Sequence, residues 1–265
     1  MKKIKKIKLF INNDDKSSVI ARTLINDLTN NGFLMDDNDF DLGISIGGDG
    51  CFLGMIRDSS FNKDAYYIGV NVGTLGFLQE IDINNTKDFV ERLSTNDYKI
   101  EEVNTLSAIV YTRNDKKEYR CLNEFVIRKD DLSVLKNNIK IDNELLENFT
   151  GDGLLVSTAT GSTAYNMSFG GSIIYNTLKA YIVTPIAPIN NKVYNTLTNS
   201  IVIPNEKKVT LEFNNENLYL MVDGKNKILN NVMKIEIMIS LNTIKCLRMH
   251  DFHFIKVLNN KIIGR

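Results

Sequence analysis

An α/β lobe, built on a parallel sheet with flanking helices and followed by a β-rich lobe, is the fold that this 265-residue sequence predicts. Three observations predict it. Strand-like and helix-like segments alternate through the first third. From about residue 98, β-branched and aromatic residues take over, often in alternation, and the tail regains helical spacing. The expected division is 1–97 for the first lobe and 98–249 for the second, with 250–265 returning to pack on the first.

In order, "IKLFI" reads as a short apolar strand, and Ser17 or Ser18 is placed to cap a helix carrying Ile20, Leu24 and Leu28 at four-residue spacing. "NNG" ends that helix, with Gly32 suited to a left-handed position. "LGISI" is the next strand, "CFLGMIRD" a short helix and "YYIGVN" a third strand before the Gly-rich "VGTLGFL"; "TKDFVERL" is a further helix. In the second half, "YKIEEVNTLSAIVYT", "YRCLNEFVIR", "NIKIDNELLENF", "SIVIP", "KKVTLEF", "NLYLMV" and "VMKIEIMIS" read as antiparallel strands. Asp142-Asn143 and Asp223-Gly224 sit where hairpin turns belong. Phe254, Val257 and Leu258 give the tail its helical pattern.

Composition restricts the chemistry. With 43% apolar and 24% charged residues, the chain is expected to fold rather than remain disordered. Thirty-two basic residues balance thirty-two acidic ones, which argues against a sequence-independent nucleic-acid or anionic-lipid partner and for a small bound ligand. No segment approaches the roughly 20 apolar residues that span a bilayer. Cys51, Cys121 and Cys246 form neither a disulfide framework nor a zinc pattern, which fits a reducing cytoplasm. The only histidines, His250 and His253, lie near the C-terminus and read as surface residues rather than metal ligands, so a carboxylate is the simpler candidate base.

"IGGDG" follows a strand and precedes a helix, so Gly47, Gly48 and Gly50 fall where main-chain amides can approach an anion at a positive helix end. It is not a G-x-G-x-x-G loop, since position 53 is Leu53, and no G-x-x-x-x-G-K-[ST] occurs. Asp49 is the anomaly. A carboxylate beside phosphate is repelled unless a metal lies between them or it accepts a proton from a hydroxyl, and both uses point to phosphoryl transfer; a local turn bond is the plain alternative. A second Gly-Asp-Gly, "TGDG" at 150–153, leads into "LLVSTATGSTAYNMSFGG", the densest run of hydroxyl and amide side chains and suited to a ribose, a base edge and an amide. "CLNEF" adds Asn123 and Glu124, an acceptor-rich pair able to hold ribose hydroxyls.

Taken in order and spacing, "GGDG" at 47–50, "IGVNVGTLGFL" at 68–78, "NE" at 123–124 and "GDGLLVSTATGSTAYNMSFGG" at 151–171 resemble the NAD kinases. GGDG is shared with diacylglycerol, sphingosine and phosphofructokinases, whereas the TGSTAYN segment is characteristic of NAD kinases. The resemblance implies transfer of a phosphoryl group from Mg-ATP, or polyphosphate, to the 2′-hydroxyl of the adenosine ribose of NAD, giving NADP. It implies a site between an α/β and a β-rich lobe, and a homodimer or homotetramer. It assigns Asp49 as general base, Gly47, Gly48 and Gly50 to the phosphates, and Asn123, Glu124 and Asp152 to NAD. Thr163, Ala164, Tyr165, Asn166, Met167 and Ser168 match the nucleotide-binding run, and Ala187 a further contact. Cys51 stands where many relatives have Thr, and Thr150 where many have a basic residue. The GGDG loop has no lysine, so a metal ion, amides or groups from elsewhere must meet the phosphate charge. A lipid or sugar kinase sharing only GGDG, and a non-catalytic dinucleotide sensor, are the alternatives.

Overall fold

The apolar run Lys6–Ile11 forms β1, the first strand of a seven-stranded sheet in the computed structural model of the chain. The structure describes residues 3–73, 76–131, 133–250 and 252–264. The chain divides into two units, Met1–Val103 with Thr243–Arg265, and Asn104–Asn242.

In the first unit β1 is followed by β2 (Leu34–Met35), β3 (Leu42–Gly47), β4 (Tyr66–Asn71), β5 (Ile81–Asp82) and β6 (Lys99–Val103), and the sheet is completed late in the chain by β17 (Ile244–Arg248). The order is β2-β1-β3-β4-β17-β6, with β5 also paired to β4. Every pairing is parallel except β17 with β6. The sheet is therefore mixed rather than purely parallel. β6 and β17, assigned by composition to the second lobe, belong here, because the apolar Ile244, Cys246 and Leu247 fill the slot beside β4 and are buried. Arg248 fixes that edge: its guanidinium donates to Glu101 at 2.6 Å and to Glu80 at 3.1 Å.

β3 and β4 are buried along their whole length, as expected of parallel strands covered on both faces. Helix α1 (Asp15–Asn30) buries Ala21, Leu24 and Leu28. Its cap is Asp14, not Ser17 or Ser18: Asp14 accepts the Ser17 amide at 2.8 Å, the geometry in which a carboxylate satisfies an unpaired first-turn N–H. Gly32 is left-handed, at φ +84°. Helices α2 (Asp49–Asp58) and α3 (Thr86–Thr95) follow, and the tail forms α5 (Phe254–Leu258) and a π turn at Asn259–Ile263.

The second unit is a ten-stranded sheet of β7 (Leu106–Thr112), β8 (Lys116–Cys121), β9 (Glu124–Lys129), β10 (Leu135–Ile141), β11 (Glu144–Gly151), β12 (Gly153–Thr158), β13 (Ala180–Ile186), β14 (Ile201–Pro204), β15 (Val209–Val222) and β16 (Lys225–Ile239). The order is β14-β13-β12-β9-β15-β16-β7-β8, with β10 pairing to β11 and β15, all antiparallel. "KKVTLEF" and "NLYLMV" lie in one strand, since the intervening asparagines make a bulge, with Asn215 at φ 57°, instead of a turn. Asp223 and Gly224 close β15 onto β16 with φ 44° and 75°, the two positive angles that a tight hairpin turn needs. Between β12 and β13 the chain makes a 3₁₀ turn at Thr160–Thr163 and the single-turn helix α4 (Tyr165–Ser168).

Candidate active site

The GGDG loop joins β3 to α2, and its glycines have different tasks. Gly47 is buried at φ +155°, and a Cβ there would lie 2.9 Å from Cys51 Cβ and 3.0 Å from Asn12 Cβ. Gly48 and Gly50 are exposed, and a Cβ on either meets nothing within 4 Å, so here the backbone is open to a ligand. Asp49 is half-buried at the first position of α2. Its Oδ2 accepts the Phe77 amide at 2.9 Å and its Oδ1 the Leu78 amide at 3.0 Å. Thr74 and Leu75, within the expected Gly-rich stretch, lie outside the described residues.

Three further residues shape the surroundings of this loop, and no role was assigned to any of them from the sequence. Gly76 passes so close that a Cβ would stand 1.9 Å from Asp49 Oδ1. Buried Gln79 donates to the Gly48 carbonyl at 2.7 Å and accepts from Ser45 at 3.2 Å, lying over Gly69, where any Cβ would strike it. Lys261, from the tail, brings Nζ to 3.7 Å from Asp49 Oδ2 and 4.7 Å from the Phe77 ring centre. It supplies a positive charge beside a loop that has none of its own. Cys51 faces the Phe10 and Ile46 carbonyls at 3.3 and 3.5 Å, and burial pushes its thiol up, so it is a neutral packing group and not a nucleophile.

In the second unit Asn123 and Glu124 form the corner between β8 and β9, both buried. Asn123 Oδ1 and Glu124 Oε2 have no hydrogen-bond partner within the protein. Burial, with the Asp223 charge beside it, pushes the Glu124 carboxyl up to about 8 against a bond from the Tyr165 amide. The hydroxyl-rich run that follows is used mostly by the fold. Ser157 donates to Asn123 O at 3.2 Å, Thr158 to Leu122 O at 2.7 Å and Ser162 to Ala159 O at 2.6 Å, and all three are fully buried. Ser157 and Thr158 fasten the loop to the Asn123 corner while Ser162 closes the turn on itself, and Gly161 makes the fit possible, since its Cβ would stand 2.3 Å from Asn123 O.

The expected nucleotide-binding run divides in the same way. Asn166 is fully buried: it donates to Ser162 O and Ser172 O, each at 3.1 Å, and accepts from Thr184 at 2.6 Å, so its side chain braces the turn. Thr163 is buried with its hydroxyl on Thr160 O. Ala164 is half-exposed, while Tyr165, Met167 and Ser168 face outward; Tyr165 packs edge-on to Phe169 at 4.7 Å.

Asp152 and Ala187 lie elsewhere. Both are exposed, at the end of the β12–β13 pair opposite to Glu124, and the Asp152 amide bonds Ile186 O at 2.9 Å. Five residues of strand separate the two clusters, on the order of 16 Å. Gly151 and Gly153 are close-approach glycines there, with Cβ positions 2.6 Å from the Phe149 ring and 2.5 Å from Ile127 O. Ala187 is left-handed at φ 42°, a strained setting for alanine. Thr150 is buried in β11, and His250 pairs with Asp97 at 3.0 Å. All three cysteines are free. No helix among the described residues is long and apolar enough to cross a membrane.

Comparison with known proteins places most of the chain in one family. Residues 3–98 match the ATP-NAD kinase N-terminal domain and residues 122–249 the ATP-NAD kinase C-terminal domain. A NAD kinase of Finegoldia magna is 40% identical over 237 residues, covering 85% of this chain and 86% of that protein. One from Clostridium beijerinckii is 33% identical, covering 85% and 79%, and one from Streptococcus pneumoniae 34%, covering 95% and 90%. The fold is similar to that of yeast NADH kinase, solved in complex with NADH, with a TM-score of 0.86 at 19% identity over all of this chain and 89% of that one. A lipid or sugar kinase sharing only GGDG would not match through both segments, and that alternative is set aside.

Proposed function

The chain belongs to the ATP-NAD kinase family, its activity is that of an NAD kinase, a phosphotransferase, and on that premise we propose how its residues divide the work. Asp49 takes the proton of the 2′-hydroxyl of the adenosine ribose as that oxygen attacks the terminal phosphorus of ATP or polyphosphate, and the bond to the bridging oxygen breaks to release ADP or a polyphosphate one phosphate shorter. A secondary hydroxyl is a poor nucleophile, and a positioned carboxylate contributes on the order of 10²–10⁴ in rate to such a step. The observation that carries this reading is the Asp49 carboxylate, fixed by the Phe77 and Leu78 amides at the mouth of an open glycine loop.

Gly47 shapes the loop, and the exposed amides of Gly48 and Gly50 lie along the donor phosphates. Asn123 and Glu124 bind NAD through their unpartnered oxygens. Ala164, Tyr165, Met167 and Ser168 line the nucleotide, Thr163 and Asn166 hold that turn in shape, and Asp152 and Ala187 meet a distant part of the dinucleotide. No group of three His, Cys, Asp or Glu side chains among the described residues gathers to cage a metal. Mg²⁺, when bound with the donor, would neutralise charge on its phosphates, and Lys261, beside Asp49, would add to that neutralisation.

The same reading takes residues 1–97 with the returning tail as the phosphate lobe and 98–249 as the NAD lobe, adjusted at β6 and β17. It takes the enzyme as a cytoplasmic homodimer or homotetramer, with no nucleic-acid or membrane partner. Purified protein with NAD and Mg²⁺ is expected to form NADP from ATP or polyphosphate, read by a coupled dehydrogenase; no NADP across a panel of donors refutes the activity.

A further inference from the structure

Asp223 carries more bonds than a turn requires. Asn-Gly makes the same hairpin turn as Asp-Gly, so the turn alone does not explain a carboxylate. Its Oδ2 accepts the Leu122 amide at 2.8 Å, and its Oδ1 accepts the amides of Asn123 at 2.7 Å and Glu124 at 3.2 Å. Its own amide donates to Glu124 O at 3.2 Å. One side chain from the β15–β16 hairpin thus holds three consecutive amides of the corner that carries the two buried acceptors, Asn123 Oδ1 and Glu124 Oε2.

We propose that Asp223 positions the Asn123–Glu124 corner for the dinucleotide and that Glu124 meets its ligand as a hydrogen-bond donor through Oε2. This rests on the reading that the corner binds NAD. The two carboxyls sit side by side and differ in how many donors serve them. Asp223 has three N–H groups, which favour its ionised form; Glu124 has the Tyr165 amide on one oxygen and none on Oε2, and is 5% exposed. The proton therefore resides on Glu124. The Cys121 thiol is buried and pushed well above its usual range, and Tyr165 turns outward; Arg128, further along β9, lies over the Phe169 ring at 5.9 Å. A protonated Oε2 beside the acceptor Asn123 Oδ1 makes a donor–acceptor pair, which suits a ligand group able to accept one bond and give another, such as neighbouring hydroxyls or a carboxamide.

The test combines the titration of the Glu124 carboxyl, followed by ¹³C NMR, with NAD affinity by calorimetry between pH 6 and 10, on wild type, Asp223→Asn and Glu124→Gln. In wild type the carboxyl is expected to titrate near 8, and NAD to bind about tenfold more weakly at pH 9.5 than at pH 7 as the donor is lost. Asp223→Asn keeps the turn but removes the charge, so Glu124 ionises at lower pH and the weakening sets in earlier. Glu124→Gln keeps a neutral donor that does not titrate, so the pH dependence of NAD affinity disappears. A Glu124 carboxyl titrating in the ordinary carboxylate range, an Asp223→Asn protein with unchanged titration, or pH-independent NAD binding in wild type would each overturn the proposal. Should Asp223→Asn fail to fold, the Glu124→Gln profile decides. Failure of the kinase reading itself appears separately, as absent NADP formation, and leaves the carboxyl titration readable.

Discussion

The GGDG loop and the Asn123 corner both place a carboxyl group among glycines, and they treat it in opposite ways. Asp49 is half-exposed, and each of its oxygens accepts a main-chain amide, with Lys261 nearby. Glu124 is buried with one oxygen unpartnered and a neighbouring carboxylate raising it. The second environment keeps a proton already in place. Two acidic residues of nearly the same chemistry are thus set in different surroundings, one open and hydrogen-bonded on both oxygens, the other buried beside a second carboxylate.

Changes that disturb one carboxyl should leave the other intact, and they rank by how directly they move it. Gly76→Ala puts a methyl group where Asp49 Oδ1 lies; displacing a catalytic group by about 1 Å costs roughly 10²-fold in kcat, with the KM for NAD changing little. Gly161→Ala drives Cβ into the Asn123 carbonyl, and the reverse pattern is expected, a KM for NAD raised about tenfold with a loss of about 1–3 kcal/mol in stability by urea denaturation. Gln79→Leu removes the bond to the Gly48 carbonyl and leaves Ser45 without its acceptor; about 1–3 kcal/mol is lost, with a smaller fall in kcat than for Gly76→Ala.

The smallest effect is on pH dependence of stability. Glu124 is raised in the folded protein above its usual 4.5, so the fold binds its proton more tightly than the unfolded chain does. Its contribution is greatest below about 4.5, falls as pH rises through the window from about 4.5 to 8, and is then constant. Glu124→Gln removes that fall. Its melting temperature relative to wild type is expected to be several degrees higher at pH 9 than at pH 5; an equal difference at both would contradict the raised value.

Much of this was legible in the sequence, and what was not has a common cause. Periodicity located β1, β3, β4 and α1 to α3, and Gly-rich turns located the GGDG loop, because those signals lie within a few residues of each other. β6 and β17 were misassigned because a strand's composition does not say which sheet it joins, and β17 reaches β4 across well over a hundred residues of chain. Asp223 read correctly as a turn residue, yet its bonds to residues 122–124 depend on the register of β15 beside β9. Ser157, Thr158, Ser162 and Asn166 carry bonds within the fold that the sequence did not show, because hydroxyl and amide side chains have the same composition signature whether they face a nucleotide or brace a loop.

The central claim, that Asp49 is the base for phosphoryl transfer to NAD, is tested most directly by NADP formation from NAD, ATP and Mg²⁺ by wild type and Asp49→Asn at matched folding. The account predicts rapid NADP formation by wild type and a loss of about 10²–10⁴ in kcat for Asp49→Asn with an unchanged melting profile. A folded Asp49→Asn enzyme that forms NADP at a rate close to that of wild type would contradict it.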